Sequence, residues 1–342
     1  VDIKKGISRL IDKKSLSYHE MESVMHQIMT GEATPAQIAG FLVALRLKGE
    51  TVDEITAAAS VMRDHASRIQ VKLAPGEHLI DTCGTGGDRS GTFNVSTTAA
   101  FVVAGAGVKV AKHGNRSVSS LAGSADVLEK LGVNLNIPSE IVRKSIETIG
   151  IGFLFAPAFH PAMKHAIGPR REIGIRTIFN VLGPLSNPAG ADVQIVGVYD
   201  HSLTRPLADV LGKLGAKRAW VVHGEGGLDE ISLLGATKVS EWDGINVNDF
   251  VVRPEDLGMS TCDINDVTGG TADENALILR QILSGEKGPK RDMVAINAGA
   301  AIFLAGKAIS LPEGVEIAFN SIDSGNAMEK LEQLVQLTNN LQ

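Results

Sequence analysis

Along the first seventy residues, apolar side chains recur every three to four positions, the period of a helix with one buried face. Met21, Val24, Met25, Ile28 and Met29 share such a face. Ser17 and Glu20 ahead of them form a capping box, and Gly31 supplies the stop. A second stripe, Ile38, Phe41, Leu42 and Leu45, follows Thr34-Pro35, an N-cap with proline at the first helical position. Thr51 with Glu54 opens a third helix, predicted to run toward Ile69. This stretch concentrates no catalytic residue types and reads as a packing or dimerisation module.

The pattern changes at Pro75-Gly76. Short apolar runs at His78–Asp81, Val108–Ala111, Val193–Tyr199, Arg218–His223 and Asn248–Val252 read as strands. Helical stretches such as Ser202–Gly215 intervene. Strands alternating with helices predict the α/β class, with a substantially parallel sheet. The stretch from Met163 to Leu182 reads as helical and is expected to pack back onto the leading helices. The tail after Leu311 is expected to be a further αβ segment and a polar helix. No internal repeat is visible.

Composition adds two points. Glycine accounts for 37 of 342 residues, above the usual ~7%, which predicts several places where backbone approaches something closely. Aromatic residues are only 4%, which argues against a stacking platform for sugars or single strands. A net charge of −6 disfavours nucleic acid, which wants a basic footprint. The apolar runs near Ala99–Val108 and Ala298–Gly306 fall well short of the ~20 residues that span a bilayer, so no membrane association is expected. Cys83 and Cys262 are too few for a disulfide scaffold and read as reduced thiols of a cytoplasmic protein.

Four constellations carry chemistry. In the first, Asp81 to Thr97 (DTCGTGGDRSGTFNVST), Gly84, Gly86 and Gly87 let backbone N–H groups converge as an anion nest. Asn94, Val95, Ser96 and Thr97 then enter an apolar helix whose N-terminus favours phosphate. The second, Ala111 to Ser120 (AKHGNRSVSS), places Lys112, His113, Asn115 and Arg116 among serines at a strand end, with Ser124 following. The third, Gly168 to Pro188, reads as a helix headed by Arg170 and Arg171, with Arg176 further on and a rigid turn at Gly183-Pro184. Arginine suits carboxylate recognition. In the fourth, Val221 to Ser232, Asp229 and Glu230 are either a hard-metal pair or the acidic first turn of a helix. The histidines have no transition-metal spacing. Together these residues point to Mg²⁺-assisted phosphoryl or glycosyl transfer on a small anion.

GTGGD, NVST, KHGNRSVSS, GPRREIGIRTIFNVLGPLSNP and GLDEIS, in this order and spacing, closely resemble the anthranilate phosphoribosyltransferase family, essentially from end to end. The resemblance implies a small N-terminal all-helical domain, residues 1–72, completed by helices within about 163–186. Beside it would lie a large α/β domain, residues 73–342, with a central, mostly parallel sheet flanked by helices. It also implies transfer of the 5-phosphoribosyl group of 5-phosphoribosyl 1-pyrophosphate to the amine of anthranilate, with Mg²⁺, in a homodimer joined through the helical domains. Gly84, Gly87, Asp88, Thr92, Asn94, Val95, Ser96 and Thr97 would hold the phosphoribosyl pyrophosphate. Lys112, His113, Gly114, Asn115, Arg116, Ser117, Val118, Ser119, Ser120 and Ser124 would complete that site. Ser96, Asp229 and Glu230 would serve the metal. Asn115 and Arg170 would bind anthranilate, Gly84 would lie where the substrates meet, and His113 and Pro184 would line an aromatic slot. No general base is assigned. A pyrimidine-nucleoside phosphorylase would need a further C-terminal domain, and a non-catalytic nucleic-acid-binding relative would need a basic face.

Overall fold

The computed structural model describes residues 1–87, 90–117 and 121–340. Asp88, Val118, Ser119 and Ser120 lie outside the described residues. Four helices lead the chain: α1 (Ile3–Ile11), α2 (Tyr18–Thr30), α3 (Pro35–Lys48) and α4 (Val52–Asp64). The capping boxes of Ser17 with Glu20 and Thr51 with Glu54 both form, and Thr34 with Gln37 makes a third. Glu54 is fully buried. Its carboxylate also accepts the Leu16 N–H (2.9 Å) and pairs with Lys48, tying α4 to α3 and to the connection between α1 and α2. The helix α4 stops at Asp64, short of Ile69. Beyond it, the Ser67 and Ile69 N–H groups donate to the carbonyls of Phe159 and Pro188 (2.8 and 3.1 Å), which draws the chain out of helical geometry.

The alternating region follows as β1 (Leu79–Gly84), α5 (Val95–Gly105), β2 (Lys109–Gly114), α6 (Ser124–Lys130), α7 (Ser139–Ile149) and β3 (Ile151–Phe155). Next come α8 (Ala156–Phe159), α9 (Lys164–Ile173), α10 (Phe179–Leu185), β4 (Val193–Gly197) and α11 (Thr204–Lys213). The chain continues through β5 (Arg218–Gly224), β6 (Thr237–Trp242) and β7 (Val247–Val252). It closes with α12 (Ala272–Leu283), α13 (Pro289–Leu304), α14 (Leu311–Asp323) and α15 (Asn326–Asn339). The tail is therefore helical, without the expected strand; Val315, Ala318 and Ile322 bury one helical face. As expected, α9 and α10 pack against α2, α3 and α4. No described helix is long and apolar enough to cross a membrane.

The seven strands lie in the order β3-β2-β1-β4-β5-β6-β7. From β3 to β5 all pairs are parallel, while β6 and β7 extend the edge as an antiparallel meander. The strands β3 and β6 were not among those predicted, whereas β7 matches the predicted run Asn248–Val252. From β1 the chain winds outward to β3 on one side, then returns to build β4 and β5 on the other. Such a reversal leaves a crevice at the carboxyl ends of β1 and β4, the usual ligand position in α/β sheets.

Two large apolar clusters cover the sheet. On one face Ile80, Val110, Ile195 and Trp220 meet α5, α13 and α15. On the other, Val196, Val198 and Val221 join α11 and run without a break into Met25, Phe41, Leu45 and Leu182 of the helical part.

Candidate functional site

The glycine loop after β1 opens into the crevice. Gly86 and Gly87 have φ of +65° and +72°, a region that side-chain-bearing residues rarely adopt. The Gly86 N–H donates to Asp229 Oδ2 (2.8 Å). On the neighbouring helix start, the Ser96 N–H donates to Glu230 Oε1 (3.1 Å). The first and fourth constellations therefore meet. Asp229 and Glu230 sit in an irregular loop after β5, not in a helical turn. Buried Asn297 of α13 fixes that loop by exchanging hydrogen bonds with the Ile231 N–H and carbonyl (both 2.9 Å). The loop approaches the strand ends so closely that a Cβ at Gly197 would overlap the Asp229 carbonyl. One at Gly84 would overlap its carboxylate.

The second constellation joins through Lys112. Its buried ammonium donates to the Thr82 carbonyl and lies 3.4 Å from Ser96 Oγ. Next to it, buried Asp81 accepts the His113 N–H (3.1 Å) and the Asn187 side-chain amide (2.8 Å). Burial raises the Asp81 carboxyl to about 6, against the pull of Lys112. The Asn187 amide also donates to the Ala111 carbonyl (2.8 Å), locking β1 and β2 to the segment after α10. Asp81 closes the HLID strand in the sequence, but nothing in the sequence pairs it with Asn187.

Past β2 the loop folds onto α6. Gly114 borders Phe153, Ser124 Oγ donates to the Asn115 carbonyl (3.2 Å), and Arg116 pairs with Asp126 and Glu129 (3.0 and 2.6 Å). Arg116 thus binds its own helix, while the Ser117 N–H donates to Asp126 (3.1 Å). Upstream, Thr92 bridges to Thr268, and Asn94 accepts from the Asn275 amide (2.9 Å). Val95 and Thr97 are buried in the first turn of α5.

The third constellation departs from expectation. Arg170 and Arg171 occupy the last turn of α9, where the helix dipole favours positive charge, and Gly183-Pro184 lies within α10. Arg170 stacks over the Phe179 ring (5.1 Å), and burial lowers the pKa of its guanidinium. Among the described residues it has no carboxylate partner. Arg176 donates to the Gly87 carbonyl and stacks on Tyr199 (4.0 Å), clamping the glycine loop.

His113 is buried, with Nδ1 3.2 Å from the Gly183 carbonyl. That carbonyl can only accept, so Nδ1 carries the proton. Among the described residues its Nε2 has no hydrogen-bond partner, and the ring of neighbouring buried His160 lies close by (ring centroids 5.1 Å apart). Burial lowers His113 to about 3 and His160 to about 4, so both are neutral at neutral pH. Their unfolded forms titrate near 6.5. Each therefore costs stability as pH falls from about 6.5, at roughly 1.4 kcal/mol per pH unit. Denaturant unfolding at pH 6.5 and 5 should show His113→Gln losing about 2 kcal/mol less than the parent. An equal loss in both would show that His113 is not the buried neutral group drawn here.

The comparisons with known proteins agree on one family. Residues 4–66 match the model of a glycosyl transferase family helical bundle domain, and residues 76–328 match the α/β domain of a glycosyl transferase family. The chain is 55% identical to the anthranilate phosphoribosyltransferase of Geotalea uraniireducens, over 98% of this chain and 99% of that protein. The chain belongs to the anthranilate phosphoribosyltransferase family. The Geobacter sulfurreducens anthranilate phosphoribosyltransferase is 56% identical at the same coverage. The crystal structure of anthranilate phosphoribosyltransferase from Thermus thermophilus superposes with a TM-score of 0.92 at 46% identity, covering 98% of this chain and 99% of that one. The Saccharomyces cerevisiae anthranilate phosphoribosyltransferase in complex with PRPP and Mg gives a TM-score of 0.90 at 30% identity, covering 99% and 98%.

Proposed function

We infer that this protein is an enzyme that transfers the 5-phosphoribosyl group from 5-phosphoribosyl 1-pyrophosphate to the amine of anthranilate. The products are N-(5-phosphoribosyl)anthranilate and pyrophosphate, a step of tryptophan biosynthesis. The observation that carries this reading is the meeting of Asp229 with Gly86 and of Glu230 with Ser96, which sets two carboxylates on the glycine loop and the start of α5. The glycine loop and the N-terminus of α5 would receive phosphate oxygens, with the Lys112 charge beside them. The donor set Asp229, Glu230 and Ser96 is all oxygen. No group of three His, Cys, Asp or Glu forms among the described residues. That chemistry fits Mg²⁺, which keeps waters and shares phosphate ligands. When bound, Mg²⁺ would offset charge on the leaving pyrophosphate.

On the acceptor side, Arg170 would take the anthranilate carboxylate, with Asn115 beside it. Neutral His113 and Pro184 would wall the ring, and Gly84 would lie between the substrates. An aryl amine is unprotonated at neutral pH, so positioning suffices without a base. The phosphoribosyl pyrophosphate would contact the two loops residue by residue as the resemblance implies, except the Arg116 side chain, which is held by Asp126 and Glu129. The domain division at residues 72/73, a homodimer through the helical part and a cytoplasmic location belong to the same reading.

Anthranilate fluorescence should fall on mixing with phosphoribosyl pyrophosphate, Mg²⁺ and the protein; no decrease with folded protein defeats the assignment. In the same assay Arg170→Ala should raise the anthranilate KM by roughly 30–100-fold, the loss of about 2–3 kcal/mol from a charge-assisted contact. The KM for the phosphorylated substrate should move little. The reverse pattern overturns the role of Arg170.

A further inference from the structure

A separate cavity of about 500 Å³ opens where α4 meets the end of α11 and the segment after α10. It shares only Asn187 with the residues of the site described above. One polar face of α4 lines it, with Ser60 nearly two turns and Arg63 nearly three turns beyond Asp53.

Arg63 dominates its chemistry. The guanidinium crosses to the α/β part, where Nε donates to the Leu185 carbonyl (2.8 Å) and Nη1 to the Leu214 carbonyl (2.9 Å). Its remaining N–H groups have no acceptor among the described residues, and no described carboxylate pairs with it. The other charges at the cavity are matched or nearly so: Lys213 pairs with Asp53 (2.9 Å), and Arg68 pairs with Asp64. Burial and the neighbouring Arg68 charge push Arg63 down to about 10, as an uncompensated cation requires. A chain of net charge −6 thus holds a concave, locally positive spot.

We propose that this cavity binds the oxyanion of a compact metabolite, a phosphate or carboxylate group, on Arg63 with Arg68 and Lys213 at its rim. Its volume suits a small molecule, and Leu214 and Pro188 supply an apolar wall for the remainder of the ligand. A fork of unused N–H groups is what oxyanion recognition requires. Occupancy braces α4 against the ends of α10 and α11, so it stabilises the fold.

The test uses the full chain, with inorganic phosphate and malonate as probes in calorimetric titration and thermal unfolding. The proteins compared are the parent, Arg63→Gln, Arg68→Ala and Asn115→Ala, the last to weaken anion binding at the crevice, where the resemblance places Asn115 at both substrates. At about ten times its Kd, the bound anion should raise the Tm of the parent and of Asn115→Ala by about 2 °C. Arg63→Gln should lose that rise, and Arg68→Ala should weaken binding at least about fivefold. Response to phosphate, to malonate or to both names the oxyanion. Parent-like binding in Arg63→Gln and Arg68→Ala, or loss of the whole effect in Asn115→Ala, overturns the proposal. Should Arg63→Gln not fold, exposed Arg68 decides alone.

Discussion

Gly197→Ala should lower kcat/KM by at least about 100-fold, the order expected when catalytic groups move by an ångström. The added Cβ would overlap the carbonyl of Asp229, which is backbone and cannot rotate away. The whole acid loop must shift, and Asp229 leaves Gly86 while Glu230 leaves Ser96. Gly84→Ala meets the Asp229 carboxylate instead, which can swing aside, so its loss should be smaller. Thermal unfolding separates this from general damage: overpacking of this kind costs about 1–3 kcal/mol, leaving the protein folded at assay temperature. Parent-like activity in Gly197→Ala, or the opposite order of the two variants, would falsify the view that these glycines make room for the acid pair.

Asp229→Asn and Glu230→Gln should each lower kcat by roughly 100–1,000-fold, the scale measured when one group facing developing charge is removed. Both substitutions keep an oxygen that can accept the Gly86 or Ser96 N–H, so the loop contacts survive while the charge is lost. The Mg²⁺ concentration for half-maximal rate should rise about tenfold or more, since outer-shell and ligand changes typically cost 10–100-fold in metal affinity. Steady-state rates across a Mg²⁺ titration give both quantities. An unchanged Mg²⁺ dependence in both variants would remove the metal role and leave the pair as purely structural carboxylates.

Much of this site is legible from local chemistry. Gly84, Gly86 and Gly87 followed by the NVST helix start announce an anion nest because strand, loop and helix are contiguous in sequence. The capping boxes of α2 and α4 are visible for the same reason: a cap is decided within four residues. Features that depend on distant partners are not legible. Arg116 looks available for phosphate until α6 brings Asp126 and Glu129 to it. Arg170 and Arg171 look like a helix head until α9 is seen to start at Lys164. The link from Asp81 to Asn187 spans the sheet, and Asn297 reaches the acid loop from α13. The short runs of β3 and β6 are too brief and too mixed to declare themselves before their neighbours exist.

The apolar cluster shared by the helical part and one sheet face makes the seam a poor place to divide the molecule. Val196, Val198 and Val221 sit in the same packing as Met25, Phe41 and Leu45, and α9 and α10 supply helices from mid-chain. A fragment cut near residue 72 would bare that face on both pieces. The two parts are thus bound to melt together, and neither would serve as a transplantable module.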